Sequence, residues 1–339
     1  MKNFRLIILL VVLIISIIGC GKSDARWVNS VVFLSNRESP KGEFDIFISS
    51  VNDSAQTNLT EDLQFIRSIS RPSLSPDKRY LLYLSINKNE KYLNLIDLLT
   101  KEHKKLAKVN VDLPYTSFIK GGREILFVKK VNGKKQIFTK KLNGIVENNI
   151  SSSLKDEYNP KLSNDESKLV FLRKSNKKIS IVIRDMESKD EHEIKVNGNQ
   201  INPMFWGKND LVYESFVDGS YKIFIYKIKS MKTEQITTGD SNANNPHILS
   251  DNRSLIFISD GRGKRYKDIC LLDLETKKYN LLTKDLNMIN YNMSVASNND
   301  GIIFESSRFN DSEIYFLNLK DNSFINISNS KAWDCQPSF

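Results

Sequence analysis

The chain has 339 residues, 40% of them hydrophobic and 27% charged, with 50 Lys and Arg against 40 Asp and Glu for a net charge of +10. That length suits two ordinary domains or one large all-β domain, and the apolar share can fill a sizeable core. With only 14 glycines and 8 prolines, the composition excludes a collagen-like or low-complexity chain.

Lys2 and Arg5 precede an almost unbroken apolar run over residues 6–18. A spanning helix needs about 20 apolar residues, so the run is read as the hydrophobic region of a secretory signal covering residues 1–19. The tetrad Ile17-Ile18-Gly19-Cys20 resembles the lipobox of bacterial lipoproteins. The resemblance implies that Cys20 is lipidated, that residues 20–30 form a tether, and that the membrane is a partner through the anchor; a simple signal without lipidation is the alternative. Several acyl chains exceed the two signals that stable anchoring requires. In an exported protein the basic excess favours anionic envelope partners over nucleic acid, and no nucleic-acid partner is expected.

From residue 31 onward short apolar strands with a central aromatic recur: VVFLS, LLYLS, ILFVK, LVFLR, LVYES, LIFIS and IIFES. Their aromatics, Phe33, Tyr83, Phe127, Phe171, Tyr213, Phe257 and Phe304, are spaced by 50, 44, 44, 42, 44 and 47 residues. Each is followed by another β-type run, such as FDIFIS or KIFIYK, and by a shorter fourth segment, such as TNLT (57–60), HEIKV (192–196), EQITT (234–238), NLLTK (280–284) or INIS (325–328). Strands rich in Ile, Val, Phe and Tyr between Asn, Gly, Asp and Lys turns predict hairpins throughout.

A further strand precedes each aromatic and begins at or near proline, as in RPSLS, NPKLS, NPMFW, NPHIL and the terminal QPSF. The second residue after the proline position is Leu74, Phe118, Leu162, Phe205, Ile248, Val295 and Phe339, apolar in all seven copies. Four strands repeated seven times are the mark of a seven-bladed, all-β propeller over residues 31–339. The first copy lacks a first strand and the last copy supplies only that strand. The C-terminal QPSF is therefore expected to pair with the N-terminal strands and close the ring, which removes exposed sheet edges.

The pattern around Ser75-Pro76-Asp77, with an L-T ending at Leu59-Thr60 and Leu282-Thr283, resembles the WD40-like repeats of the TolB-type propeller. Lys78 stands where that family has glycine. The resemblance covers nearly the whole chain after the leader and implies an envelope protein. Such blades occur in protein-binding envelope components, in peptidases and in pectin-fragment lyases, so it specifies fold more than function.

Chemistry is sparse. A propeller peptidase needs a hydrolase domain with a G-x-S-x-G elbow, and the sequence holds neither. A metal-dependent lyase needs clustered ligands. His103, His192 and His247 fall on the third-to-fourth connection, a fourth strand and a first strand, so no metal, cofactor or catalytic residue is assigned and the chain is read as non-enzymatic. Cys270 and Cys335 lie two blades apart, which favours free thiols over a bridge. Twelve Lys or Arg crowd residues 101–141 against Glu102, Asp112 and Glu124, a solvated sector or a surface for an anionic partner.

The position before each inner-strand proline reads Arg71, Tyr115, Asn159, Asn202, Asn245, Asn292 and Gln336. In register these side chains would ring one mouth of the central channel, with His247 nearby. Amides donate and accept together, which suits a peptide backbone or a sugar; amides beside turns also satisfy local backbone groups. The reading is a non-catalytic scaffold that binds an envelope protein or peptide. A glycan- or small-ligand-binding propeller is the alternative, and a degenerate lyase a third.

Overall fold

The computed structural model describes residues 29–38, 43–61, 70–151, 154–176, 178–194, 199–207, 210–263, 265–296, 298–308 and 311–339. The expected leader and Cys20 lie outside them. Seven four-stranded antiparallel sheets follow one another around a ring. Blade 2 is typical: Ser73–Leu74, Tyr80–Asn87, Glu90–Asp97 and His103–Lys108, from the axis outward. Blades 3 to 7 have inner strands Ser117–Ile119, Asp156–Leu162, Asn199–Trp206, Ala243–Ile248 and Ile289–Val295.

Blade 1 joins the two ends of the chain. Its order is Asp334–Ser338, Ser30–Ser35, Asp45–Ser50, Asp53–Asn58, with Leu34 opposite Cys335 and Val32 opposite Ser338. The pairing expected from the truncated first and last repeats is present.

Each second strand lies between neighbouring blades and is buried on both faces, which explains why these segments read as continuous apolar runs. Phe33, Phe127, Phe171 and Phe304 have no accessible surface, and Tyr83, Tyr213 and Phe257 are buried too. Full burial of such a ring stabilises by roughly 1.5–3 kcal/mol. Every adjacent pair of blades shares an apolar cluster. Blade 7 packs on blade 1 through Ile303, Ile314, Phe316, Val31, Phe33 and Phe47, so the core continues across the seam.

The outermost strands begin or end earlier than the sequence pattern suggests: Asp53–Asn58, Glu191–Ile194, Lys232–Gln235, Tyr279–Leu281 and Phe324–Asn326. The Leu-Thr, Ile-Thr or Ile-Ser endings leave the sheet yet keep its ladder. In blade 6 the Leu282 N–H donates to the Ile269 carbonyl, and the Thr283 hydroxyl accepts the Ile269 N–H at 3.0 Å. The same exchange joins Ile46 with Leu59 and Thr60, Ile223 with Ile236 and Thr237, and Ile314 with Ile327 and Ser328. The hydroxyl takes the place of a backbone carbonyl, which neither apolar nor acidic residues can do as compactly.

At the Ser-Pro-Asp turn, Ser75 Oγ accepts the Tyr80 N–H at 2.8 Å and the Ser75 carbonyl accepts the Lys78 N–H at 2.9 Å. Lys78 has φ +59°, and the equivalent Glu166, Asn252 and Asn299 are left-handed as well. The backbone demand for glycine persists where the glycine is lost. His103 is the first residue of blade 2's outermost strand rather than part of the preceding connection.

Candidate functional site

The inner strands converge on an axial cavity of about 540 Å³. Its lining includes every residue singled out at the pre-proline position, Arg71, Tyr115, Asn159, Asn202, Asn245, Asn292 and Gln336, together with His247. The alternating register adds a second tier two residues further on: Ser73, Ser117, Lys161, Met204, Ser294 and Ser338 beside His247.

Six of the seven first-tier residues have φ between +45° and +56°; Arg71 is the exception. In blades 4 to 7 this residue sits in a β-bulge, where the pairing skips from Tyr158 to Lys161, Ile201 to Met204, Asn244 to His247 and Tyr291 to Ser294. Left-handed φ costs most side chains about 1–2 kcal/mol and asparagine least. The run of amides therefore has a backbone cause before any ligand is considered. Arg71 is released from that demand, which lets blade 2 place a cation where other blades place an amide.

Several amides are tied into the wall. Asn159 Nδ2 donates to Asn202 Oδ1 at 3.1 Å, and Asn202 Nδ2 donates to Glu214 Oε1 at 2.8 Å. Glu214 also accepts Asn244 Nδ2 at 3.1 Å and the Asn245 backbone N–H at 3.0 Å. Glu305 plays the same part between blades 7 and 1, accepting Asn292 Nδ2 at 2.8 Å, the Gln336 N–H at 3.3 Å and Ser312 Oγ at 3.0 Å. Each carboxylate thus pins the left-handed residue of the next blade. Sequence reading missed both, although a signal was present: the residue after the central aromatic is aliphatic in five blades and Glu in LVYES and IIFES. Among the described residues, the side-chain amides of Asn245 and Gln336 have no hydrogen-bond partner.

Electrostatics follow from enclosure. Burial lowers Arg71 to about 10, offset in part by nearby Glu305. Lys161 is reachable by water yet walled by protein, and burial and then Arg71 lower its pKa. His247 falls to about 3 through burial and the Arg71 and Lys161 charges, which makes it a neutral imidazole at pH 7. Burial raises Glu214, with its three donors pulling the other way.

The other candidates are dispersed. His103 Nδ1 lies 3.3 Å from Tyr83 Oη, and His192 Nε2 lies 3.0 Å from Tyr226 Oη, on blades 2 and 4. Among the described residues no group of three His, Cys, Asp or Glu gathers as for a metal. Cys270 and Cys335 are free thiols; burial pushes the former up to about 12. The basic stretch recruits acids from outside it: Lys108 pairs with Glu90 and Lys129 with Glu147.

No family model matches the chain. Over 138 residues it is 22% identical to a protein TolB homolog of Chlorobium chlorochromatii, a match that takes in 41% of this chain and 31% of that protein. TolB from Acinetobacter baumannii superposes with a TM-score of 0.57 at 14% identity, covering 92% of this chain and 66% of that one. An oligogalacturonate lyase from Vibrio parahaemolyticus gives 0.63 at 13% identity, with coverage of 87% and 85%. Peptidases share the architecture too. At these identities the likeness is one of fold: the chain folds as a TolB-like, seven-bladed β-propeller.

Proposed function

We propose that this ring is a non-catalytic scaffold of the bacterial cell envelope, held at a membrane through lipidated Cys20, whose channel mouth receives a segment of a partner protein. The observation that carries this reading is the axial cavity, onto which all seven blades open polar side chains at one level, the amides of Asn245 and Gln336 having no hydrogen-bond partner among the described residues. Such a lining matches the alternating donors and acceptors of an extended backbone. Its volume lies within the roughly 300–1,000 Å³ typical of ligand sites. The TolB likeness supports an envelope setting. Cys20 lies outside the described residues, and its lipidation rests on the lipobox resemblance alone.

Affinity capture from crosslinked envelopes tests the scaffold: a reproducible protein partner is expected, and its absence would sink the reading. Mass spectrometry of the purified protein tests the anchor, with acyl chains expected on Cys20. The Tyr115 ring lines the same cavity as the Asn245 and Gln336 amides, which also suits a sugar, and calorimetry with cell-wall and plant oligosaccharides addresses that alternative.

A further inference from the structure

Among the described residues, the cavity wall contains Arg71, Lys161 and His247, from blades 2, 4 and 6, and no Asp or Glu. The two carboxylates behind it are already engaged, Glu214 by three donors and Glu305 by three. Arg71 has five N–H donors; one, on Nη1, reaches the Met293 carbonyl at 3.3 Å. Among the described residues the Lys161 ammonium has no hydrogen-bond or ion-pair partner, although its backbone pairs with Val170. Two cations therefore face one cavity close enough for Arg71 to lower the pKa of Lys161, and their like charges and spare donors favour an anion between them.

We infer that the channel mouth is a carboxylate clamp, in which Arg71 and Lys161 together hold an acidic side chain of the segment that enters, while Asn245 and Gln336 bond its neighbouring peptide groups. The inference rests on the reading that the occupant is a protein segment. A peptide is favoured over an acidic sugar by the mixed lining, where Leu113, Pro114, Pro203 and Met204 alternate with the polar groups and offer apolar contact to flanking side chains. His247, held neutral beside the cations, is a built-in reporter of a charge arriving there.

The test is an NMR titration of ring-labelled histidine in the whole protein, with the His247 signal assigned by His247→Gln. Amidated octaglutamate is expected to shift that signal saturably, and amidated octaglutamine to leave it in place. Losing one charge-assisted contact should weaken octaglutamate about tenfold or more in Arg71→Gln and in Lys161→Gln. Lys161→Glu should lose octaglutamate and admit octalysine, a reversal that a merely misfolded variant would not show. Equal shifts from octaglutamate and octaglutamine, or unchanged affinity in both Gln variants, would overturn the clamp. Trigalacturonate shifting His247 while octaglutamate does not would overturn its assignment to a peptide. A partner captured equally by wild type and both Gln variants removes the clamp and leaves the scaffold standing; octaglutamate binding with no captured partner does the reverse.

Discussion

Arg37 and Asp334, 297 residues apart in sequence, meet at 3.0 Å across the seam where the chain's two ends form one blade. Asp334 is fully buried, and the Arg37 guanidinium also lies 4.6 Å from the centre of the Phe47 ring. Removing one partner of a buried pair strands the other charge, so Arg37→Ala should destabilise by about 3 kcal/mol. Urea denaturation measures this, with Arg253→Ala as a control. The Arg253 pair with Asp273 is exposed and its loss should leave the midpoint unchanged.

The Thr283 hydroxyl is buried and serves three groups, accepting from the Ile269 N–H and Asn290 Nδ2 and donating to Asp268 Oδ1 at 3.2 Å. Thr283→Val keeps the shape and leaves buried donors unmet, at a cost of about 1–3 kcal/mol. Hydrogen exchange at the Ile269 amide should accelerate in the variant; unchanged protection would mean that the hydroxyl is not the ladder's last acceptor.

Lys78 holds φ +59° at the position where the family pattern has glycine. Lys78→Gly relieves left-handed strain of about 1–2 kcal/mol and gives back part of it in unfolded-chain entropy, for a net gain of roughly 0.5–1 kcal/mol. A higher urea midpoint is the expected result. A lower one would show that the Lys78 side chain, not the backbone, matters at this turn.

The architecture was legible because it is written seven times. The aromatic spacing and the missing first strand of the first repeat were enough to place the ring and its closure. The first tier of the channel was legible too, since one strand register determines which residues face the axis. What stayed hidden depends on contacts between blades. Glu214 and Glu305 act on the next blade's backbone, a relationship that no repeat contains by itself. The left-handed φ of Asn159, Asn202, Asn245 and Asn292 likewise comes from bulges in the pairing, so their shared residue type looked like a recognition pattern before it could be seen as a conformational one.

His247 makes stability depend on pH in a calculable direction. Its folded value near 3 lies below the ordinary 6.5, so the unfolded chain binds more protons between those values. Stability then rises with pH across that window and is lost as pH falls through it. His247→Gln should flatten this limb, shrinking the difference between urea midpoints at about pH 4.5 and 7.5. An unaltered difference would place the titration elsewhere.

The central claim, that the channel mouth and not the rim receives a partner protein, is tested most directly by photocrosslinking in cells that make the protein. One variant carries p-benzoylphenylalanine in place of Thr116, which lines the cavity; a second carries it in place of Tyr279, exposed on the outer strand of blade 6. A discrete protein adduct from the Thr116 position and none from the Tyr279 position is the predicted result. The same adduct from both positions, or from Tyr279 alone, would contradict it.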